Sequence, residues 1–366
     1  MSVYKMSLST ISPLFIGEGK ELRQGFDFVM SNGRTYRFNE EKVLEARQSK
    51  LVPDRSGQYP LPGRLLDKQD LQDTALIRYV LPGEIHSNRA DARLQSCIKD
   101  VYDRPYIPGS SIKGALRTAL GWYGWKEKNL KVDFRKLGRR DKFAASAYEK
   151  DLFGDDPRKD LLKALRVGDC YGPEKAGQGL QIVNAQVLTK RSAGSPIELE
   201  AIKPDQCFTG SLSIDDSLFS AAANELLGLN DRKHWLDDLT RILNDHSRAR
   251  IRMLAEQFQE FSRCDTVTKF YQLLLGQGEL SQGNALIQLG WGTGWDGKTF
   301  WSRLQDDEDD FEEIINRYRM HRATRNSPRR KPGDDFPRSR RLVMSRKTGE
   351  PVRPFGWVLF QLEKIR

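Results

Sequence analysis

The stretch NALIQLGWGTGWDGKT, Asn284 to Thr299, contains G-x-x-x-x-G-K-T over Gly292 to Thr299, so it matches a phosphate-binding P-loop at every fixed position. Whether it is one sets the fold class. A P-loop follows a buried strand, opens a helix and wraps backbone N–H groups around phosphates. NALIQLG reads as the strand, but three features of the surrounding sequence oppose the rest. A P-loop normally follows the first strand of its core, and here only 67 residues follow Thr299, most of them charged loop. No later apolar strand ends in the Asp that would hold Mg²⁺; LVMSRK and WVLFQLEK supply none. Trp295 stands where the backbone must approach phosphate. The stretch therefore reads as a glycine loop of another kind. Gly290, Gly292, Gly294 and Gly297 permit positive φ and expose backbone N–H groups, and Lys298 and Thr299 add donors. Trp291 and Trp295 can pack beneath the loop or stack on a base. This is a cradle for an RNA backbone, or a structural turn.

Beyond this loop, the 366 residues are ample for a core, and the net charge of +10 favours an anionic partner. Cys97, Cys170, Cys207 and Cys264 lie far apart without C-x-x-C spacing, so they read as free thiols of a cytoplasmic protein and not as a zinc ribbon. His86, His234, His246 and His321 form no ligand motif, and no cofactor is expected. The N-terminus lacks an apolar signal core, and no stretch approaches 18 consecutive apolar residues, so no membrane partner is expected.

Val3 to Ile16 reads as a strand, and FDFVM and TYRF read as a hairpin about Asn32-Gly33. Asn39 caps a helix running through Gln48. Residues 50–105 are turn-rich and read as an insertion with short helices. A short helix is expected near 142–152, strands over 167–214, and a helical part over 216–275. Residues 305–341 read as a charged loop, and 341–347 and 356–364 as closing strands. The order is α+β and compatible with a strand–helix–strand, strand–helix–strand unit of the ferredoxin-like (RRM-like) kind, with large insertions in one domain over 1–366.

YIPGSSIKGALRTAL, Tyr106 to Leu120, is the most informative segment. Pro108-Gly109 breaks the chain, and Ser110 or Ser111 is the expected N-cap of a helix to Trp125. The unpaired N–H groups at this end suit an anion. Ile112, Ala115, Leu116 and Ala119 share one face; Lys113 and Arg117, four apart, share a low-relief face with Gly114, Thr118 and Gly121. That face could meet a nucleic-acid backbone, or be a solvated face with two cations. LTKRSAGSPIELEAI, Leu188 to Ile202, reads as two strands whose loop carries Lys190 and Arg191; it is either a basic tip reaching across RNA or a solvated loop.

TISPLFIGEGKEL, YIPGSSIKGALRTAL and LGWGTGWDGKT, in this order, resemble the RAMP proteins of CRISPR systems, and within them the fifth-subunit family of the type III-A Csm complexes. FDFVMSNGRTYRFNEEKVLEA and IELEAIKPDQCFTGSLSI fit the same family. The resemblance implies a ferredoxin-like fold with a C-terminal glycine-rich loop. It also implies a non-catalytic subunit that caps the backbone of an antiviral effector complex and holds the 3′ side of the crRNA. Its implied partners are crRNA, other Csm RAMP subunits, target RNA indirectly, and cellular nucleases recruited for crRNA maturation. Carried over, Gly109, Ser110, Ser111, Lys113 and Arg117 become RNA-backbone contacts. Gly292, Gly294, Gly297 and Lys298 become the glycine-rich loop, which touches RNA or supports the face that does; Lys190 and Arg191 are added on their charge. The family's target-cleaving aspartate belongs to a neighbouring subunit; Asp91 and Asp103 lie in the corresponding region without a motif to anchor either. Two enzymes remain as alternatives: a crRNA-processing endoribonuclease of the same superfamily and a P-loop NTPase.

Overall fold

The computed structural model describes residues 1–87, 92–190, 192–278, 280–304, 308–320, 331, 334 and 336–365. They form a mixed α/β architecture around three sheets. The strand Ser2–Thr10 lies inside the first sheet, because Met6, Leu8 and Thr10 alternate inward while Ser7 and Ser9 face outward. It pairs antiparallel with Cys207–Ile214 on one side and with Trp357–Lys364 on the other. Asn284–Gln288 extends the sheet beyond Trp357–Lys364. Leu165–Val167 and Cys170–Tyr171 pair with Cys207–Ile214, and Tyr106–Ile107 forms the opposite edge.

The opening strand is shorter than the sequence suggested. It ends at Thr10; the Ile11 and Ser12 N–H groups both turn to the Trp357 carbonyl, and Pro13 beyond them has no N–H with which to resume a ladder. Leu14 then bridges Ile202, so the same run of apolar residues crosses into the second sheet. That sheet has the order Pro351–Pro354, Arg340–Met344, Leu180–Leu188, Ile197–Ile202, Arg93–Cys97, Gly17–Arg23. The third is the hairpin Phe28–Ser31 and Arg34–Phe38 with Ile77–Pro82 added. Asn32 and Gly33 both have positive φ, 52° and 74°, as a two-residue hairpin turn requires. Asn39 caps Glu40–Ala46 by accepting from the Lys42 N–H.

Two segments carry more regular structure than their composition suggested. Residues 50–105 supply two strands, Ile77–Pro82 and Arg93–Cys97. Within the charged 305–341 segment, the helix Glu308–Arg317 buries Phe311, Ile314 and Ile315. Arg340–Met344 closes the second sheet.

Two helices cover one face of the first sheet. Gly109–Glu127 buries Ile112, Leu116, Ala119 and Leu120, and Leu239–Gln259 buries Ile242 and Leu243 in the same core as Met6, Leu8, Phe208 and Leu212. The helices touch each other, and Gly124 lets the short helix Lys233–Asp237 pack close to the first of them, since a Cβ there would lie 2.3 Å from the Trp235 ring. The helix expected over 234–262 breaks in two at Asp238, and that expected over 216–228 shortens to Ala221–Leu227, capped by left-handed Gly228. No described helix is long and apolar enough to cross a membrane.

Candidate nucleic-acid interface

The glycine loop is built from below. Its strand, Asn284–Gln288, is an antiparallel edge strand, and the loop leads into a single 3₁₀ turn, Asp296–Lys298, then the four-residue helix Trp301–Leu304. Neither gives the context of a P-loop. Gly290, Gly292 and Gly294 all have positive φ, 75°, 92° and 81°. Close approach adds a second reason for glycine: a Cβ at Gly292 would lie 2.8 Å from Phe355, and one at Gly294 2.5 Å from Asp296. Gly297 has no left-handed φ, but it passes the Arg250 guanidinium, which a Cβ would meet at 2.8 Å.

Beneath the loop Asp296 is fully buried between two buried arginines, Arg340 at 2.5 Å and Arg250 at 3.4 Å. Arg250 also donates to the Thr293 carbonyl at 3.1 Å, and Arg340 to Gln257 at 2.7 Å. Burial alone would raise the Asp296 pKa, but the charges of Arg340 and Arg250 outweigh it and the pKa is lowered. The loop is thus latched from inside. On its outer side Lys298 is exposed, Arg341 lies 4.8 Å over the Trp291 ring, and Trp291 packs edge-on against Phe15 and Phe355.

The helix Gly109–Glu127 departs from the expected basic face. Pro108, not Ser110 or Ser111, occupies the N-cap position. The Gly109 N–H donates to the Asp169 carboxylate at 2.7 Å, so a carboxylate of the chain itself already sits at this helix end. Gly109 is there because the strand backbone passes so close; a Cβ would lie 2.3 Å from the Val167 carbonyl. Ser110 is exposed and Ser111 half-buried. Lys113 turns inward to donate to the Leu165 carbonyl at 2.7 Å, and desolvation lowers its pKa. Arg117 stacks 4.0 Å over Phe153 and pairs with Asp160 at 2.8 Å and Glu149 at 3.3 Å. Lys113 and Arg117 are thus engaged by residues 149–165, while Gly114 between them stays exposed. Gly121 is likewise a packing position, touching Phe300 and Phe153.

The two expected site regions do not meet. The glycine loop reaches the helix near Gly121 and Trp122, whose indole donates to Ser302 at 2.8 Å. At 1.5 Å per residue, Gly109–Ser111 lies about 15–18 Å away along the helix. Lys190 is elsewhere again, paired with Glu260; Arg191 lies outside the described residues. Asp103 pairs with Arg78 through two hydrogen bonds of 2.9 and 2.6 Å, while Asp91 also lies outside the described residues.

The model of the RAMP superfamily matches residues 7–295, from the first strand into the glycine loop. The chain belongs to the RAMP superfamily. Among curated relatives of this RAMP chain is the CRISPR system Cms protein Csm5 of Methanocaldococcus jannaschii, 25% identical over 96% of this chain and 87% of the relative. The Csm5 protein of Streptococcus thermophilus is 26% identical over 45% of this chain and 51% of its own. In fold, the chain resembles a chain of the cryo-EM structure of a Csm–crRNA–target RNA ternary complex of a type III-A CRISPR-Cas system, with a TM-score of 0.69, 22% identity and coverage of 98% of this chain and 100% of that one. It also resembles the crystal structure of T. onnurineus Csm5, with a TM-score of 0.63, 22% identity and coverage of 96% and 99%.

Proposed function

We propose that this RAMP chain is a non-catalytic RNA-binding subunit of a type III-A CRISPR effector complex, with crRNA and other Csm RAMP subunits as partners. The observation that carries the reading is a relationship to a Csm5 protein along nearly the whole of both chains, beyond the superfamily match. In this role it caps the complex at the 3′ side of the crRNA and contributes to crRNA maturation and antiviral defence. The first sheet and its two helices form a ferredoxin-like unit. Its elements come in the order strand Ser2–Thr10, helix Gly109–Glu127, the short strands at 165–171, strand Cys207–Ile214, helix Leu239–Gln259 and strand Trp357–Lys364, with Tyr106–Ile107 and Asn284–Gln288 added at the two edges of the sheet. The last strand lies beside the first, and the third separates the first from the second, which supports this reading.

Within the site, the RNA-facing groups are Lys298, the outer backbone of Gly292–Gly297, and the Ser110 and Ser111 hydroxyls. Gly109, Lys113, Arg117 and Lys190 hold the fold that presents them, consistent with their internal partners. The test is a titration of the purified chain with labelled single-stranded RNA at several salt concentrations, with excess Mg-ATP as competitor. Salt-dependent binding that ATP leaves untouched is expected. No RNA binding, or displacement by ATP, overturns the reading.

A further inference from the structure

The chain carries a net charge of +10, yet one of its surfaces is acidic and aromatic. It lies at the edge of the first sheet formed by Tyr106–Ile107. Tyr106 and Tyr171 stand opposite in register with their rings stacked 5.7 Å apart, and Tyr171 is 53% exposed. The loop feeding this edge is closed by the Lys99–Pro105 bridge and holds Val101 90% and Tyr102 68% exposed. Exposed apolar side chains on a floppy loop would mean little. This loop is fixed. The Asp100 carboxylate accepts from the backbone N–H of Tyr102 and Arg104, at 2.9 and 3.0 Å, and from the Arg104 guanidinium at 2.7 Å. Asp103, at φ 60°, ties the loop to Arg78, and its carbonyl accepts from the Gly177 N–H at 2.8 Å. A loop held this way loses little entropy on docking.

The charge around it selects the partner. Burial and then the carboxylates of Asp169, Asp100 and Glu18 raise the pKa of Tyr106, and Glu174 adds its field at Arg104. Arg78 and Arg104 are consumed by Asp103 and Asp100. Glu18 and Glu174 are exposed and form no ion pair among the described residues; the exposed cations beside them in the chain are Lys20 and Lys175. Tyrosine faces rimmed by carboxylates suit arginine and lysine side chains. We infer that Val101, Tyr102, Tyr106 and Tyr171 form a docking face for a basic segment of a neighbouring protein subunit. This rests on the proposed membership of a multi-protein complex.

The test pairs Tyr102→Ser with Tyr171→Ser, and separately Glu18→Lys with Glu174→Lys. Each variant is reconstituted with the remaining complex proteins and crRNA, and the fraction co-eluting with the complex is measured beside the single-stranded RNA affinity of the chain alone. Association falls roughly tenfold or more in both, as on removal of interface hot spots, while the tyrosine pair leaves RNA affinity unchanged. The charge-reversal pair sits at exposed positions and keeps the fold, so it decides the matter if the tyrosine pair misfolds. Variants that join as well as the wild type overturn the inference alone. A tyrosine variant that loses RNA affinity overturns it in favour of an RNA platform. A wild-type chain that never joins the complex overturns the functional reading, and this inference with it.

Discussion

Replacing Asp296 by Ala tests whether the glycine loop is held from beneath. Asp296 is fully buried, and Arg340 and Arg250 are only 6% and 5% exposed at their side chains. Removing the carboxylate leaves two buried guanidinium groups without their counter-charge, a loss of about 3–5 kcal/mol. Unfolding entropy near 2.1 cal/mol/K per residue, over 366 residues, is roughly 0.8 kcal/mol/K. The melting temperature should therefore drop by about 4–6 °C in circular dichroism or scanning calorimetry. A second substitution distinguishes unpaired charge from lost packing. Arg340→Met in the Asp296→Ala background removes one orphaned cation and should recover part of the loss, because a well-packed apolar replacement of an ion pair is often neutral. An Asp296→Ala protein melting within about 1 °C of wild type would refute the latch, since the quoted loss demands more.

Three further outcomes are expected. Lys298→Ala should weaken single-stranded RNA binding and reduce the slope of log K against log salt by about 0.7, the contribution of one phosphate contact, with the melting temperature unchanged. Arg117→Ala should cost about 1–2 kcal/mol of stability in denaturant titration, discounted for its partly exposed ion pairs, and leave RNA affinity unchanged; the reverse pattern would return Arg117 to the RNA. His246 is buried against Trp122, and desolvation, then Arg250 and Arg303, lower its pKa from 6.5 to about 3. Between these values the unfolded chain binds a proton that the folded chain refuses. Stability should therefore decline as pH falls below 6.5, by up to about 1.4 kcal/mol per pH unit, and His246→Phe should flatten that acid limb in melts between pH 7.5 and 5.

The helix from Gly109 was readable because its apolar spacing is local, and the glycine loop because glycine marks positive φ wherever it falls. The partners of their charged side chains were not, because charges choose partners across the fold. Lys113 finds a carbonyl 52 residues away, Arg117 a carboxylate 43 away, and Asp296 its arginines 46 and 44 away. A basic pair at i and i+4 looks the same whether it faces water or residues 149–165. The strand Ile77–Pro82 alternates buried and exposed at every residue, but proline-rich neighbours hid the pattern. Arg93–Cys97 offered a single aliphatic side chain, Leu94. The acidic run before Phe311 hid the stripe of Phe311, Ile314 and Ile315. The Asp100 turn is the reverse case: Asp and Arg four apart carried a structural meaning, and the side chains they display, Val101 and Tyr102, passed as ordinary loop.

The strand that opens the chain pairs, in the middle of the first sheet, with the strand that closes it; Tyr4 sits opposite Lys364, 360 residues later. A ribosome adding about 5–20 residues per second needs roughly 20–70 s to make the second strand after the first. For that time Met6 and Leu8 have no finished sheet to enter, and one side of their strand stays open to other chains. This pairing therefore waits until Trp357–Lys364 has been made, and it closes a loop of about 360 residues. Premature termination anywhere before Trp357 would leave a central strand without its neighbour, not a smaller working protein.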